Sequence, residues 1–230
     1  MNARSVPIGE KQAERSLFVV AFEVMPAPGC MADYLHTATV LRSTLVTMEG
    51  FLANERFASR SRRDTFLSLS LWDDEKALIR WRVNGPHHAA QEAGRQRVFA
   101  DYRLRVGEAT QVTGPFADRS VGWMRRDITA VGSAKWLSIV DAMLPSTSPH
   151  WREVEAALSA QSGLVSREFY DHLQTSGRVA IVCGWNDERD ALRFAEAPCW
   201  NGVPELQMFT VRVIRDYGMV DRHEAPQFYR

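Results

Sequence analysis

The amino-acid sequence predicts an α+β protein built from two similar βαββαβ units. One observation is an internal repeat, because the segments 50–81 and 163–194 align without a gap, matching Gly50 with Gly163 and Trp72 with Trp185. The other is that the same order of strand and helix patterns surrounds both segments. A repeat of this length indicates two copies of one structural unit.

The first unit begins with an apolar strand over 16–26, followed by a helical stretch that stops at Gly50. Two further strands are predicted over 51–59 and 65–72. In the later strand, strict alternation sends the leucines to one face and mostly polar or aromatic residues to the other, namely Leu67, Leu69 and Leu71 against Phe66, Ser68, Ser70 and Trp72.

Helical patterns over 73–81 and 86–99 and a strand over 102–112 complete the first unit. The second unit repeats this order, with strands over 135–145, 163–172, 177–187 and 208–218 and helices over 149–161 and 188–196. This order is typical of a ferredoxin-like unit, a four-stranded antiparallel sheet with helices on one face. Since the other face of each sheet is bare, we expect the two units to pack sheet to sheet within the chain.

The predicted organisation has five segments. They are a flexible N-terminal segment over 1–15, the first unit over 16–112, a linker rich in Gly, Pro and Ser over 113–133, a diverged second unit over 134–220, and a C-terminal tail over 221–230.

Composition excludes several classes of protein. The 28 Lys and Arg residues balance the 28 Asp and Glu residues, so no basic surface is expected for nucleic acid or an anionic membrane. The three cysteines are widely spaced and form no C-x-x-C motif, which argues against a disulfide framework or a zinc ribbon and suits a reducing compartment. The sequence shows no signal peptide, apolar span, nucleotide-binding motif or zinc-protease motif, so we expect a cytoplasmic protein without a bound metal.

The segment 70–109 resembles the antibiotic biosynthesis monooxygenase (ABM) family of dimeric α+β barrels. The matching residues are Trp72, Trp81, His87, Gln91, Gly94, Arg95, Asp101, Tyr102 and Arg103. The resemblance covers about residues 16–110 well, whereas 134–218 keeps Gly163, Trp185 and the strand rhythm. The family usually builds its barrel from two chains, so this chain is interpreted as a tandem fusion of both halves.

The resemblance implies a ligand cavity between sheet and helices and a monooxygenase of secondary metabolism. Members of the family oxidise polycyclic phenolic or anthrone-type molecules, so the implied partners are a small aromatic, enolisable molecule and O₂, with no cofactor. Relatives in the superfamily bind haem, and those that degrade it use an Asn on the first strand that this chain lacks. The missing Asn argues against haem degradation but not against haem binding. Haem with His87 as axial ligand is the alternative that the resemblance leaves open. Whether the fused chain forms a homo-oligomer is left open.

Two adjacent histidines, His87 and His88, lie at the start of the predicted helix over 86–99. Asn84 or Gly85 is expected to cap this helix, and Pro86 suits its first position. At about 100° per residue, His87 faces inward with Ala90, Gly94 and Val98, whereas His88 faces solvent. The positive end of the helix dipole disfavours an imidazolium, so His87 is predicted to be neutral and able to accept a proton or to bind iron.

Asn54, on the second strand, is predicted to be the amide donor that stabilises an enolate or phenolate oxygen while His87 acts as the base. The predicted substrate-binding residues are Trp72, Trp81, Phe66, Ser68, Ser70 and Tyr102. In the second unit, Val179, Ile181, Cys183 and Phe194 stand where the first unit has Phe66, Ser68, Ser70 and Trp81. This loss of polarity predicts one working site, in the first unit.

Three functions therefore stay open from the sequence. The first is a cofactor-independent monooxygenase that uses His87 and Asn54. The second is a haem protein with His87 as axial ligand and oxygenase, haem-degrading or peroxidase-like activity. The third is a non-catalytic binding or assembly module, which is expected to have its cavity filled by Phe and Trp side chains.

Overall fold

Eight antiparallel strands form one closed barrel in the computed structural model, which describes residues 16–119 and 126–226. The strands are β1 (Phe18–Pro26), β2 (Phe51–Ser59), β3 (Phe66–Trp72), β4 (Phe99–Thr113), β5 (Trp136–Met143), β6 (Leu164–His172), β7 (Arg178–Trp185) and β8 (Gln207–Gly218). Their order around the barrel is β1-β3-β2-β6-β7-β5-β8-β4.

Five α-helices accompany these strands in the described residues. They are α1 (Met31–Leu45), α2 (Glu75–Val83), α3 (Gly85–Ala93), α4 (His150–Ser159) and α5 (Glu188–Ala195). A π-helical turn (Gly94–Val98) joins α3 to β4. Strand β4 begins at Phe99, three residues before the strand predicted over 102–112. No helix in the described ranges is long and apolar enough to cross a membrane. The predicted N-terminal segment 1–15 and parts of the predicted linker and tail lie outside the described residues.

The strand order confirms two ferredoxin-like units. Each unit contributes four neighbouring strands with the same internal order, β4-β1-β3-β2 and β8-β5-β7-β6. The units join at both sheet edges, through β2 with β6 and through the long ladder of β4 with β8. Because every edge strand is paired, the barrel exposes no strand edge to another chain.

Each sheet buries both of its faces. Leu67, Leu69 and Leu71 point into the barrel, where residues of both units form one apolar core. The outer face of each sheet is covered by the helices of its own unit. In the second unit, aromatic rings fill this outer layer, with the ring centroid of Phe194 5.4 Å from that of Trp185 and 5.2 Å from that of Trp200.

The repeated residues hold the same positions in both units. Asp74 caps the N-terminus of α2 by accepting a hydrogen bond from the Ala77 N–H at 2.7 Å, and Asp187 caps α5 in the same way. Gly50 has a φ of +79°, and a Cβ on this residue would lie 2.6 Å from the Cβ of Ala77. A larger residue therefore fits neither this backbone conformation nor this close approach of helix to strand.

An ion-pair network closes the barrel core where β1 ends. Glu23 on β1 is buried and pairs with Arg105 on β4 and with Arg62 in the β2–β3 turn. Arg62 also donates a hydrogen bond to the Tyr170 hydroxyl on β6 at 2.9 Å, which links the network to the second unit. Burial of the Glu23 carboxyl opposes its ionisation, but Arg105 and Arg62 more than compensate, so the pKa of Glu23 lies below its ordinary value.

Replacing Glu23 with Gln leaves Arg105 buried without its carboxylate. We expect the Glu23→Gln variant to lose about 3 kcal/mol of unfolding free energy at neutral pH, measured by urea denaturation. The difference from wild type is expected to shrink as the pH falls through the lowered pKa of Glu23, because the native carboxylate then takes up a proton.

The control is Glu49→Gln, which removes a carboxylate whose side chain is 91% exposed and pairs loosely with Arg80. Its effect on the unfolding free energy is expected to stay within about 1 kcal/mol. Equal effects of the two substitutions would mean that the Glu23 network adds no stability.

Candidate active site

A cavity of about 380 Å³ lies between the outer face of the first sheet and the helices α1, α2 and α3. Its volume is in the range of small-molecule binding sites. Apolar side chains make most of its wall, among them Val20, Leu41, Leu45, Trp72, Trp81 and Phe99. Strand β8 and the tail of the second unit complete one side with Arg215, Tyr217 and Pro226.

His87 lies in the wall of this cavity, at the start of α3. The Asn84 side chain caps the helix by accepting a hydrogen bond from the His87 backbone N–H at 3.4 Å. The cavity also reaches Ala90, Gly94 and Val98, so the predicted helix face is the one that faces inward. His88 is half-buried and does not line the cavity.

The imidazole of His87 is held in one orientation. Its ring stacks on the indole of Trp81, with ring centroids 4.1 Å apart and an interplanar angle of 13°. Its Nδ1 lies 2.9 Å from the carbonyl oxygen of Trp81. Since a carbonyl oxygen only accepts hydrogen bonds, Nδ1 carries the proton and Nε2 keeps its lone pair.

Gln91, one turn further along α3, borders the same imidazole. Its amide nitrogen lies 3.4 Å from Nδ1 and 3.5 Å from Nε2 of His87. Because these two distances are nearly equal, the amide lies beside the ring and does not point along the lone pair of Nε2. Trp81 and Gln91 therefore fix the ring without capping its basic nitrogen.

Burial lowers the pKa of His87 to about 4, while the hydrogen bond to Trp81 opposes this shift. The imidazole is therefore neutral at ordinary pH, as predicted from the sequence. The sequence argument attributes the neutral form to the helix dipole. In the structure, the loss of hydration on burial makes the largest contribution to the lowered pKa.

Asn54 lies on the cavity face of β2, but its amide is oriented differently from the prediction. Its Nδ2 donates hydrogen bonds to the Ser68 hydroxyl at 2.9 Å and to the Leu69 carbonyl oxygen at 3.1 Å. The Oδ1 atom is buried and accepts no hydrogen bond from the described residues. Both amide hydrogens are used by described residues in this arrangement, so the role of Asn54 as a donor to substrate stays a prediction.

Two serine hydroxyls of β3 lie in the cavity wall with hydrogens available for donation. Ser68 accepts a hydrogen bond from Asn54, and Ser70 accepts one from the indole N–H of Trp72 at 2.9 Å. Each hydroxyl that accepts such a bond can still donate its own hydrogen. Both serines line the cavity, so β3 offers two donors to a ligand there.

Two predicted substrate-binding residues lie outside this cavity. Phe66 packs against the ring of Tyr34, with centroids 5.9 Å apart, and Tyr34 lines the cavity whereas Phe66 does not. Tyr102 lines a smaller neighbouring pocket, where its hydroxyl accepts a hydrogen bond from Arg222. The predicted residues Trp72, Trp81, Ser68 and Ser70 do line the cavity.

Sequence reasoning missed several residues of the wall. Arg56 follows Asn54 by two positions on β2, so strand alternation alone could have placed both on one face. Arg215 and Tyr217 belong to the second unit and reach the cavity because β8 pairs with β4. This pairing joins residues that are far apart in sequence, and no local pattern indicates it.

Comparisons with known proteins agree with this architecture. The family model described as antibiotic biosynthesis monooxygenase matches residues 17–93. A relative from Pyricularia oryzae (strain 70-15), named jasmonate monooxygenase ABM, is 34% identical over 224 residues, which cover 93% of this chain and 98% of the relative. This chain belongs to the ABM family. The predictions of this family and of an ABM-type monooxygenase, an oxidoreductase, are therefore confirmed.

Two solved structures share this fold over most of the chain. The alignment with an aldoxime dehydratase (OxdRE) in complex with butyraldoxime covers 92% of this chain and 82% of the dehydratase chain, with 10% identity and a TM-score of 0.58. The alignment with a second aldoxime dehydratase covers 90% of this chain and 83% of that dehydratase, with 12% identity and a TM-score of 0.54. At these identities the likeness concerns the fold alone.

The π-helical turn shapes the floor of the cavity in this ABM protein. Gly94 begins the turn, and a Cβ at this position would lie 2.3 Å from the ring of Phe99. The missing side chain thus lets an aromatic wall residue lie directly against the backbone. Single π-helical turns of this kind are frequent at functional sites.

The tautomer and pKa of His87 can be measured by long-range ¹H–¹⁵N NMR on protein with labelled histidine. We expect one of the six histidines to show a protonated Nδ1 and an unprotonated Nε2, and not to titrate between about pH 8 and about pH 5. These signals are expected to disappear in His87→Gln and to remain in His88→Gln. A titration midpoint near the ordinary value of 6.5 contradicts the neutral, buried imidazole.

Proposed function

We propose that this protein is a cofactor-independent monooxygenase that oxidises an apolar phenolic or otherwise enolisable small molecule with O₂, in secondary metabolism. The observation that carries the proposal is the neutral His87 in the wall of an apolar cavity, whose Nδ1 proton is bound to the Trp81 carbonyl oxygen and whose Nε2 keeps its lone pair, with the Gln91 amide nitrogen no closer than 3.5 Å. The cavity is open, which also argues against a module filled by its own aromatic side chains.

The first chemical step is removal of a proton from the substrate by Nε2 of His87. A histidine with a pKa of about 4 is a weak base in isolation. In the closed site, however, the imidazolium forms next to the enolate or phenolate that it creates. The attraction between these opposite charges is strong where water is excluded, and it offsets the cost of burying the cation.

Oxygen then reacts with the electron-rich anion. The anion passes one electron to O₂, and the resulting substrate radical and superoxide combine and take back the proton from His87 to form a hydroperoxide. Loss of water from a hydroperoxide at a former CH₂ group leaves a ketone. One oxygen atom of O₂ enters the product and the other leaves as water, so the substrate supplies all of the electrons.

The hydroxyls of Ser68 and Ser70 are proposed to stabilise the anion. Donors that are oriented before the reaction begins lower the barrier because no dipole has to turn as the charge develops. Asn54 and Trp72 hold the two serine oxygens, so they are positioning residues rather than catalytic residues in this scheme.

The decisive experiment measures O₂ consumption with anthrone and phenolic substrates and with jasmonate, which the name of the 34% identical relative gives as its substrate. We expect His87→Ala to lower kcat by about 10²-fold or more, because general base catalysis contributes this much. The matched control is His88→Ala, which changes the adjacent histidine outside the cavity wall and is expected to keep wild-type rates.

The same preparations test the haem alternative. We expect no absorption band near the Soret region in the purified protein and no specific uptake of added haemin. A Soret band that shifts or disappears in His87→Ala overturns the cofactor-free proposal and assigns His87 as an iron ligand. Equal O₂ consumption by His87→Ala and wild type overturns the proposed base.

Removal of one serine hydroxyl tests the proposed stabilisation of the anion. We expect Ser68→Ala to lower kcat by about 10²-fold with a much smaller change in KM, since the donor acts mainly on the developing charge. Ser43→Ala is the control, because this exposed α1 hydroxyl bonds its own helix backbone. A change confined to KM would assign Ser68 to ground-state binding instead.

A further inference from the structure

We propose that Arg56, together with Tyr34, forms an anion site that binds the carboxylate of an otherwise apolar substrate. This inference rests on the proposed function, because it names the substrate class of the same cavity. It concerns binding only and adds no chemical step to the reaction.

Arg56 is placed in the cavity by the register of the first sheet. It lies opposite Ser68 in the β2–β3 ladder and on the same strand face as Asn54. All three residues line the cavity. The guanidinium therefore lies beside the proposed serine donors and not at the rim of the barrel.

The hydrogen-bonding capacity of Arg56 is not used up within the described residues. Its Nε is buried and has no hydrogen-bond partner there, and the side chain forms no ion pair with a described carboxylate. Arg56 as a whole is half-buried, and a buried N–H of a charged group that has no partner is costly because it has lost its hydration. Such a group indicates a ligand that supplies the missing negative charge.

Tyr34 extends the same site from helix α1. Its side chain is 6% exposed and interacts with the guanidinium of Arg56. Burial raises the pKa of the Tyr34 hydroxyl, while Arg56 opposes this shift, so the group is protonated and can donate a hydrogen bond at neutral pH. The pair thus offers donors of two kinds to one anion.

The charges around the cavity favour an anion. In the part of the chain that the structure describes, its wall contains four arginines, Arg42, Arg56, Arg82 and Arg215, and a single acidic residue, Glu75. Arg82 and Arg215 donate hydrogen bonds to backbone carbonyls of the C-terminal tail, and Arg42 is exposed at the end of α1. Arg56 is therefore the arginine of this wall that lies opposite Ser68 on the sheet and has a buried nitrogen without a hydrogen-bond partner in the described residues.

The second unit shows that packing alone does not require this charge. The residue that matches Arg56 in the repeat is Phe169, whose ring packs against Trp151 with centroids 5.8 Å apart. In the second unit, where helices pack closely on the outer face of the sheet, an aromatic side chain therefore fills this strand position. The first unit keeps an arginine at the position where the helix layer is open.

The occupant that fits these observations has one anionic end and an apolar body. The rest of the wall is mainly aliphatic and aromatic, so it matches a hydrophobic skeleton of small-molecule size. A planar guanidinium matches the two oxygens of a carboxylate, which can accept two parallel hydrogen bonds. We therefore assign the substrate to apolar carboxylic acids.

Binding of a matched ligand pair tests this assignment. The probes are 1-naphthaleneacetate and its neutral amide, 1-naphthaleneacetamide, which share the same apolar body, and affinity is measured by isothermal titration calorimetry. We expect the wild-type protein to bind the carboxylate at least about tenfold more tightly than the amide. In Arg56→Gln, the affinity for the carboxylate is expected to fall about 10- to 100-fold, while the affinity for the amide changes much less.

Two further variants are the controls. Arg63→Gln removes a positive charge whose side chain is 95% exposed outside the cavity, and wild-type affinities are expected. Arg56→Lys keeps the charge but loses the planar fork, so an intermediate preference for the carboxylate is expected.

The inference is overturned if the wild-type protein shows no preference for the carboxylate, including failure to bind it. It is also overturned if Arg56→Gln weakens both probes equally, because Arg56 then only supports the cavity wall. Neither result affects the proposed oxidation. That proposal is tested separately, by the loss of O₂ consumption in His87→Ala with a neutral phenolic substrate.

Discussion

The pairing of edge strands between the two units is the constraint on which the rest of the structure depends. Strands β4 and β8 pair along most of their length, and β2 pairs with β6 on the opposite side. This pairing turns the inner faces of both sheets into one apolar core, and the cavity of the first unit lies on the outer face of its sheet, under the helices. It also brings Arg215 and Tyr217 of β8 to the wall of the first unit's cavity, so the second unit contributes to the site without containing it.

The cavity wall combines a neutral imidazole, that of His87, with the guanidinium of Arg56. The imidazole of His87 loses hydration and gains only one backbone hydrogen bond, so burial favours its neutral form. Arg56 lies in the wall of the same cavity, where it is half-buried and its Nε has no hydrogen-bond partner among the described residues. In the proposed function, an anion compensates both groups: a bound carboxylate pairs with Arg56, and the enolate or phenolate formed in the reaction pairs with protonated His87.

Local patterns in the sequence predicted those features that depend on local geometry. The alternation over Phe66–Trp72 identified the core-facing leucines, and helical periodicity identified His87 as the inward histidine. Alternation places Phe66 on the cavity face, but it does not reveal that Tyr34 packs against this ring. The prediction for Tyr102 depends on the family resemblance, which does not reveal the contact with Arg222. The orientation of the Asn54 amide depends on the Leu69 carbonyl oxygen in the adjacent strand, and a side-chain pattern does not reveal where a backbone acceptor points.

Fusion of the two halves removes the symmetry that a barrel of two identical chains imposes. In a homodimer, every substitution appears twice, so a polar or charged residue that benefits one cavity is also introduced into the other half. Here the position of Arg56 is matched by Phe169, and Ser70 by Cys183, so the two halves have been able to change independently. One half can accept the instability of buried polar groups while the other retains the packing that holds the barrel together, which lets selection act on specificity and stability in separate parts of one chain.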